Sequence, residues 1–201
     1  MGTSSRGAGS GEQGAGRNPP SRRPAVLPAV LLLALVATPA AAQERLTQDE
    51  ALRLAFPGAE VERRTAFLTP AELEAVQARA GRGTAPPPSV VTYYVATKDG
   101  APAGTAYFDA HRVRTLSEVL MIVVVPGGTV RRVEVLRFDE PPDYRPPAGW
   151  LALLAGRPLA GLSLRGGVPP LAGATLTAEA VTAATRRALA LHAVLSAKEA
   201  R

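Results

Sequence analysis

Residues 119–138, VLMIVVVPGGTVRRVEVLRF, hold the pattern that decides the fold. An apolar run from Val119 to Val125 meets Pro126-Gly127-Gly128, and a second run follows from Thr129 to Phe138. Each run is too short for an ordinary helix and is bounded by turn residues. Val130, Val133 and Val135 are β-branched, as a pleated, half-buried surface prefers. Two antiparallel strands joined by a tight turn are therefore expected. Upstream, Val90 to Thr97 and Gly104 to Ala110 flank Asp99-Gly100, a dipeptide suited to a two-residue hairpin turn.

Farther out the pattern turns helical. Thr47-Gln48-Asp49-Glu50 reads as a capping box opening a short helix to about Phe56, where Pro57-Gly58 stops it. Thr69-Pro70-Ala71-Glu72 reads as a second box, with proline at the first helical position, opening a helix to about Ala80. A strand fits Glu60 to Phe67 between them, and the proline-rich stretch from Gly81 to Ser89 reads as a loop. Past the second hairpin, Pro141 to Pro147 is an irregular crossing, Trp150 to Leu154 a short helix, and Gly161 to Pro170 a loop. Val181, Ala184, Ala188, Leu191 and Leu195 lie on one stripe of a helix from about Ala178 to Ala197. The expected fold is α+β: a mainly antiparallel sheet with packed helices and a C-terminal amphipathic helix.

The N-terminal 42 residues read differently. Residues 1–20 are rich in Gly, Ser and Arg and lack the apolar content of a core. Arg22-Arg23 then precedes an uncharged run from Pro24 to Ala42 that ends in three alanines. A basic start, a short apolar centre and a small-residue end describe a secretory signal peptide, with a mature N-terminus at Gln43. A membrane anchor retained over residues 24–42 is the alternative, although the apolar centre is short of the ~20 residues a spanning helix needs. Either way the body, divided into a segment 43–89 and a domain 90–201, is expected outside the cytoplasm, in the periplasm or at the membrane.

Charge and composition exclude several classes of function. The formal net charge is +6, but residues 1–42 contribute half of it through four arginines against Glu12. The body has no run of like charges, and aromatic residues make up 4%, so a nucleic-acid interface is not expected. The absence of cysteine rules out disulfides, thiolate metal sites and iron–sulfur clusters. Two histidines, His111 and His192, are too few for a histidine-rich metal site.

One segment carries chemistry. Leu171-Ala172-Gly173-Ala174-Thr175-Leu176-Thr177 runs into the last helix. A helix start offers unpaired N–H groups and the positive end of the dipole. Gly173 allows close approach of a ligand, Ala174 adds no bulk, Thr175 supplies a hydroxyl, and Thr177 is placed to cap the helix. A phosphate could be bound there, or esterified to the threonine. An ordinary loop-and-cap entry into a core helix fits the same features.

Gly-Ala-Thr-Leu-Thr ahead of a terminal amphipathic helix resembles the flavinylation motif of the FMN-binding domain family. That family includes the flavin-bearing C subunit of the sodium-pumping NADH:quinone reductase and the G subunit of the Rnf complex. The likeness spans Val90 to Leu195, taking in the Pro126-Gly127-Gly128 hairpin, Phe138-Asp139-Glu140-Pro141, Trp150 and Gly156-Arg157-Pro158-Leu159. His111 to Thr115, Glu118 and Asp143-Tyr144 resemble its small exported members. The resemblance implies FMN joined through its phosphate to Thr175 by a dedicated flavin transferase. Gly173, Ala174, Leu176 and Thr177 would surround the linkage, and Glu140 would approach the flavin. A membrane redox partner, a haem or quinone protein, would exchange electrons with it. Ala172 stands where the family has serine or threonine, and Pro169 where an acidic residue is common.

The expected function is that of an exported electron-transfer flavoprotein. The alternatives are an FMN-dependent reductase of a small exported substrate, with His111 or Tyr144 as proton donor, and a non-redox module that has lost flavin. Among the remaining residues, His111 reads equally as part of a basic patch near the flavin or as a solvated hairpin edge. Arg131 and Arg132 read as a solvated strand face and Trp150 as core. His192, toward the helix C-terminus, sits where a partial positive charge is comfortable.

Overall fold

Asp99 and Gly100 both adopt positive φ, 53° and 76°, the paired left-handed geometry that a two-residue hairpin turn requires. That turn joins strands β2 (Val90–Lys98) and β3 (Ala101–Arg112). The computed structural model describes residues 46–164 and 166–200. Within them the helices are α1 (Gln48–Ala55), α2 (Pro70–Ala80), α3 (Ala148–Ala152) and α4 (Thr175–Glu199), and the other strands are β1 (Glu60–Phe67), β4 (Ser117–Val124) and β5 (Val130–Phe138). The expected signal segment, with its cleavage point before Gln43, lies outside the described residues.

The five strands form one antiparallel sheet in the order β1-β2-β3-β4-β5. Each strand pairs with its sequence neighbour, and residues 60–67 form the edge of the same sheet that the later hairpins build. The fold is α+β, as expected from the hairpin and capping signals. The turn at Pro126–Gly128 closes through the Gly128 N–H donating to the Val125 carbonyl at 2.9 Å.

The sheet is covered on both faces, which explains the unbroken apolar run in β4. Leu120, Ile122 and Val124 join the larger core with Val76 of α2 and Val181, Ala184, Ala188, Leu191 and Leu195 of α4. Met121 and Val123 point the other way, into a smaller core with Ala51, Leu52, Ala55 and Phe56 around α1. Period-2 alternation thus feeds two cores. The expected stripe of α4 is buried throughout, but so are Thr185, Leu189, Ala190 and Val194. α4 is wedged between the sheet and α2, so it buries much more than one stripe.

Both expected capping boxes are present. Thr47 and Glu50 exchange bonds at the start of α1, and Thr69 and Glu72 do so at α2. α4 differs from expectation at its start. It begins at Thr175 instead of Ala178, its N-cap is Ala174, and no side chain caps it. Thr177 is therefore not a cap: it lies within the first turn and is 1% exposed. Gly173, with φ of 78°, turns the chain early enough to bring Thr175 into the helix. A hydrogen bond from the Ala178 N–H to the Ala174 carbonyl, 3.0 Å, then closes the first turn. Among the described residues no helix is long and apolar enough to cross a membrane.

Candidate functional site

The Leu171–Thr177 segment forms a turn running into α4. The Ala174 N–H donates to the Leu171 carbonyl at 3.1 Å, and the segment is approached from Pro169, whose carbonyl accepts the Trp150 indole N–H at 2.9 Å. Trp150 is buried in the larger core and anchors the entry to this turn. Arg186 of α4 donates to the carbonyls of Ala80 and Leu162, at 2.7 and 2.8 Å. It thereby ties the end of α2 and the connection before the turn to the same helix.

At the helix start, Gly173 and Thr175 are exposed and Leu176 is 49% exposed, whereas Ala174 and Thr177 face inward. A β-carbon at Gly173 would meet no atom within 4 Å, so open space lies over the turn. The first turn of α4 carries no acidic residue and no side-chain cap. A helix of this length thus begins with its first N–H groups and positive dipole end uncompensated by any side chain. An exposed hydroxyl stands among them. The residues present fit a phosphate ester at Thr175: an oxygen to bond through, N–H groups to receive the anion, and a glycine that leaves room.

Glu140 lies beside the β3–β4 connection. Glu140 is buried, and its Oε1 accepts the backbone N–H groups of Leu116, Thr115 and Arg114 at 2.8, 2.7 and 3.1 Å. These bonds hold the carboxyl below the usual range. The side chain therefore organises the β3–β4 connection, where the Arg114 guanidinium also lies 5.1 Å from the centre of the Tyr144 ring.

His111 is neither a solvated edge nor part of a free basic patch. β3 runs on to Arg112 and β4 starts at Ser117, so His111 faces Glu118 across the pair. Its Nδ1 lies 2.9 Å from Asp109 Oδ1 and its Nε2 3.0 Å from Glu118 Oε2. Burial works against its charge, but the two carboxylates outweigh it and push the imidazole up to about 9. Asp109 also receives Arg187 of α4, through Nε at 2.9 Å and through Nη2. A chain Glu118–His111–Asp109–Arg187 therefore joins two strands to α4. Glu118 is fully buried, burial raises its pKa, and its Oε1 has no partner among the described residues.

No family model and no curated protein matches the chain.

Thr175, Gly173, Ala174, Leu176 and Thr177 form one turn, whereas Glu140, just past the end of β5, lies against the β3–β4 connection. Arg131 and Arg132 are exposed, as a solvated strand face should be, with Arg132 paired to Glu134. His192 departs from expectation: it is buried 3.1 Å from the Tyr107 hydroxyl, and burial lowers its pKa. The helix end does not hold it charged. Asp109, Glu118 and Arg187 were not singled out from the sequence as an ionic chain. The usable signal was the alternation Tyr107, Asp109, His111, which puts all three on one face of a strand. Ending β3 at Ala110 hid it.

Proposed function

We propose that this protein is an exported electron-transfer flavoprotein that carries FMN in phosphoester linkage to Thr175. The supporting observation is the bare start of α4, where an exposed threonine hydroxyl sits among unpaired N–H groups, inside the Gly173-Ala174-Thr175-Leu176-Thr177 motif. A phosphate there is the anion that this helix lacks and that α1 and α2 replace with capping boxes. Thr175 would hold the flavin through its Oγ1, and a flavin transferase would make the link.

Each residue of the turn has a part in this reading. Thr175 is the covalent link, and the N–H groups of the first turn receive the phosphate oxygens. Gly173 and Ala174 keep the approach free of side-chain bulk. Leu176 offers apolar surface beside the linkage, and buried Thr177 fixes the orientation of the turn. The flavin supplies the redox chemistry, taking up or giving out one or two electrons. Because Thr175 and Leu176 are exposed, both the transferase and a membrane redox partner, a haem or quinone protein, have access to them. A substrate-reducing enzyme would need a proton donor over the flavin. His111 stands near Arg187, twelve residues along α4 from Thr175, or about 18 Å at the helical rise of ~1.5 Å per residue.

The test is co-production with a flavin transferase and mass measurement of the intact protein. The expected mass increase is one FMN less one water, stable to denaturation, on the peptide containing Thr175. Thr175→Ala abolishes it. Ala172→Ser with Pro169→Asp raises the labelled fraction; Pro169 contributes only its carbonyl to Trp150, which aspartate retains. A protein that acquires no flavin beside a working transferase overturns the reading.

A further inference from the structure

Strands β2 and β3 part company half-way along. Their pairing runs from Lys98 opposite Ala101 to Tyr93 opposite Tyr107 and stops there. Beyond it, Val90 to Thr92 stay with β1, opposite Thr65 to Phe67, while Phe108 to Arg112 stay with β4. The sheet therefore forks, and the two inner strand edges each turn every second backbone N–H and C=O toward the gap. A cavity of about 770 Å³ occupies the fork, within the range of small-molecule sites.

Its wall has two characters. Pro86, Pro88, Tyr94 and Phe108 supply flat apolar surface. Arg63, Arg112, Arg187 and His111 supply positive charge against the single carboxylate of Asp109. Arg187 and His111 are already bound to Asp109, so they set the local potential and hold the wall rigid. Arg63 and Arg112 are exposed and make no ion pair among the described residues. Their guanidinium groups are free to meet a planar anion in two-point fashion.

We propose that the fork between β2 and β3 is a binding site for a small aromatic carboxylate. The carboxylate meets Arg112, the ring lies against Phe108 and the Pro86–Pro88 segment, and Arg63, beside Tyr94, adds positive charge from the other end of the cavity. This site is separate from Thr175 and operates with or without flavin there.

The full chain, labelled with ¹⁵N, is titrated with 2-naphthoate and followed by amide chemical shifts. Saturable shifts are expected at residues 90–92, 108–112 and 187–191, with Kd on the order of 1 mM or tighter, and none at residues 173–177. The isosteric cation 2-naphthylmethylammonium and inorganic phosphate are expected to bind at least ~10-fold more weakly, the first because it meets like charge and the second because it lacks the ring. Arg63→Gln with Arg112→Gln, both on exposed positions, weakens 2-naphthoate roughly 10-fold and leaves the remaining spectrum unchanged. Absence of saturable shifts at the fork overturns the proposal. Equal binding of the cation, equal binding of phosphate, or undiminished binding by the double variant overturns it as well.

Discussion

His111 carries its charge because two carboxylates hold it from both sides, and that makes its pH dependence specific. Its folded pKa of about 9 lies above the ordinary 6.5, so the protonated form favours the folded state. That contribution is fully present below pH 6.5 and is lost as pH rises through 9. Raising pH from 6 to 10 should cost up to about 3 kcal/mol in the urea unfolding free energy. His111→Gln should flatten this window. Glu140 has the opposite sign. Its pKa is held below the usual range by the N–H groups of Leu116, Thr115 and Arg114. Its contribution is present above the unfolded carboxylate pKa and is lost as pH falls through the folded value. Glu140→Gln should therefore show a shallower loss of stability in acid, measured by the same unfolding curves. Neither residue's role was readable from its neighbours in sequence. Glu140 depends on a connection some 25 positions upstream, and His111 on a cross-strand register that requires the strand ends.

Two kinds of helix start coexist in one chain. α1 and α2 are closed by reciprocal threonine–glutamate boxes, and these were plain in the sequence because the four residues involved are contiguous. Thr47→Ala and Thr69→Ala should each cost ~1 kcal/mol in chemical denaturation. α4 was harder to delimit, since its first turn contains two threonines and either could have been the cap. The left-handed Gly173 decides the start, and its conformation is a property of the folded turn. The open start offers a direct test of the dipole argument. In flavin-free protein, Thr175→Asp should be more stable than Thr175→Ala by roughly 0.5 kcal/mol, and added salt should shrink the difference. Equal stability of the two variants would mean that the helix start gains nothing from an anion.

At the scale of the whole molecule, the meander was legible because each hairpin carries its own turn chemistry at Asp99-Gly100 and Pro126-Gly127-Gly128. The sandwiching of the sheet by helices on both faces was less so. β4 reads as one apolar run, and the alternation that divides it between two cores appears only when both faces are seen to be covered. The fork was invisible in the sequence for a similar reason: Val90 to Thr92 and Phe108 to Arg112 are ordinary strand residues, and only their partners differ. The order of strands has one more consequence. A five-strand meander is not closed into a barrel, so among the described residues no further strand pairs with the outer side of β1 or β5, although Gly156 and Arg157 bond the backbone of β5 at Val130. β1 carries Glu60, Glu62, Arg63 and Arg64, and β5 carries Arg131, Arg132, Glu134 and Arg137. A second copy adding its strand to either border would have to crowd these charged side chains against its own. The borders are thereby guarded against fibrillar growth, and the sheet can stay open without recruiting its neighbours.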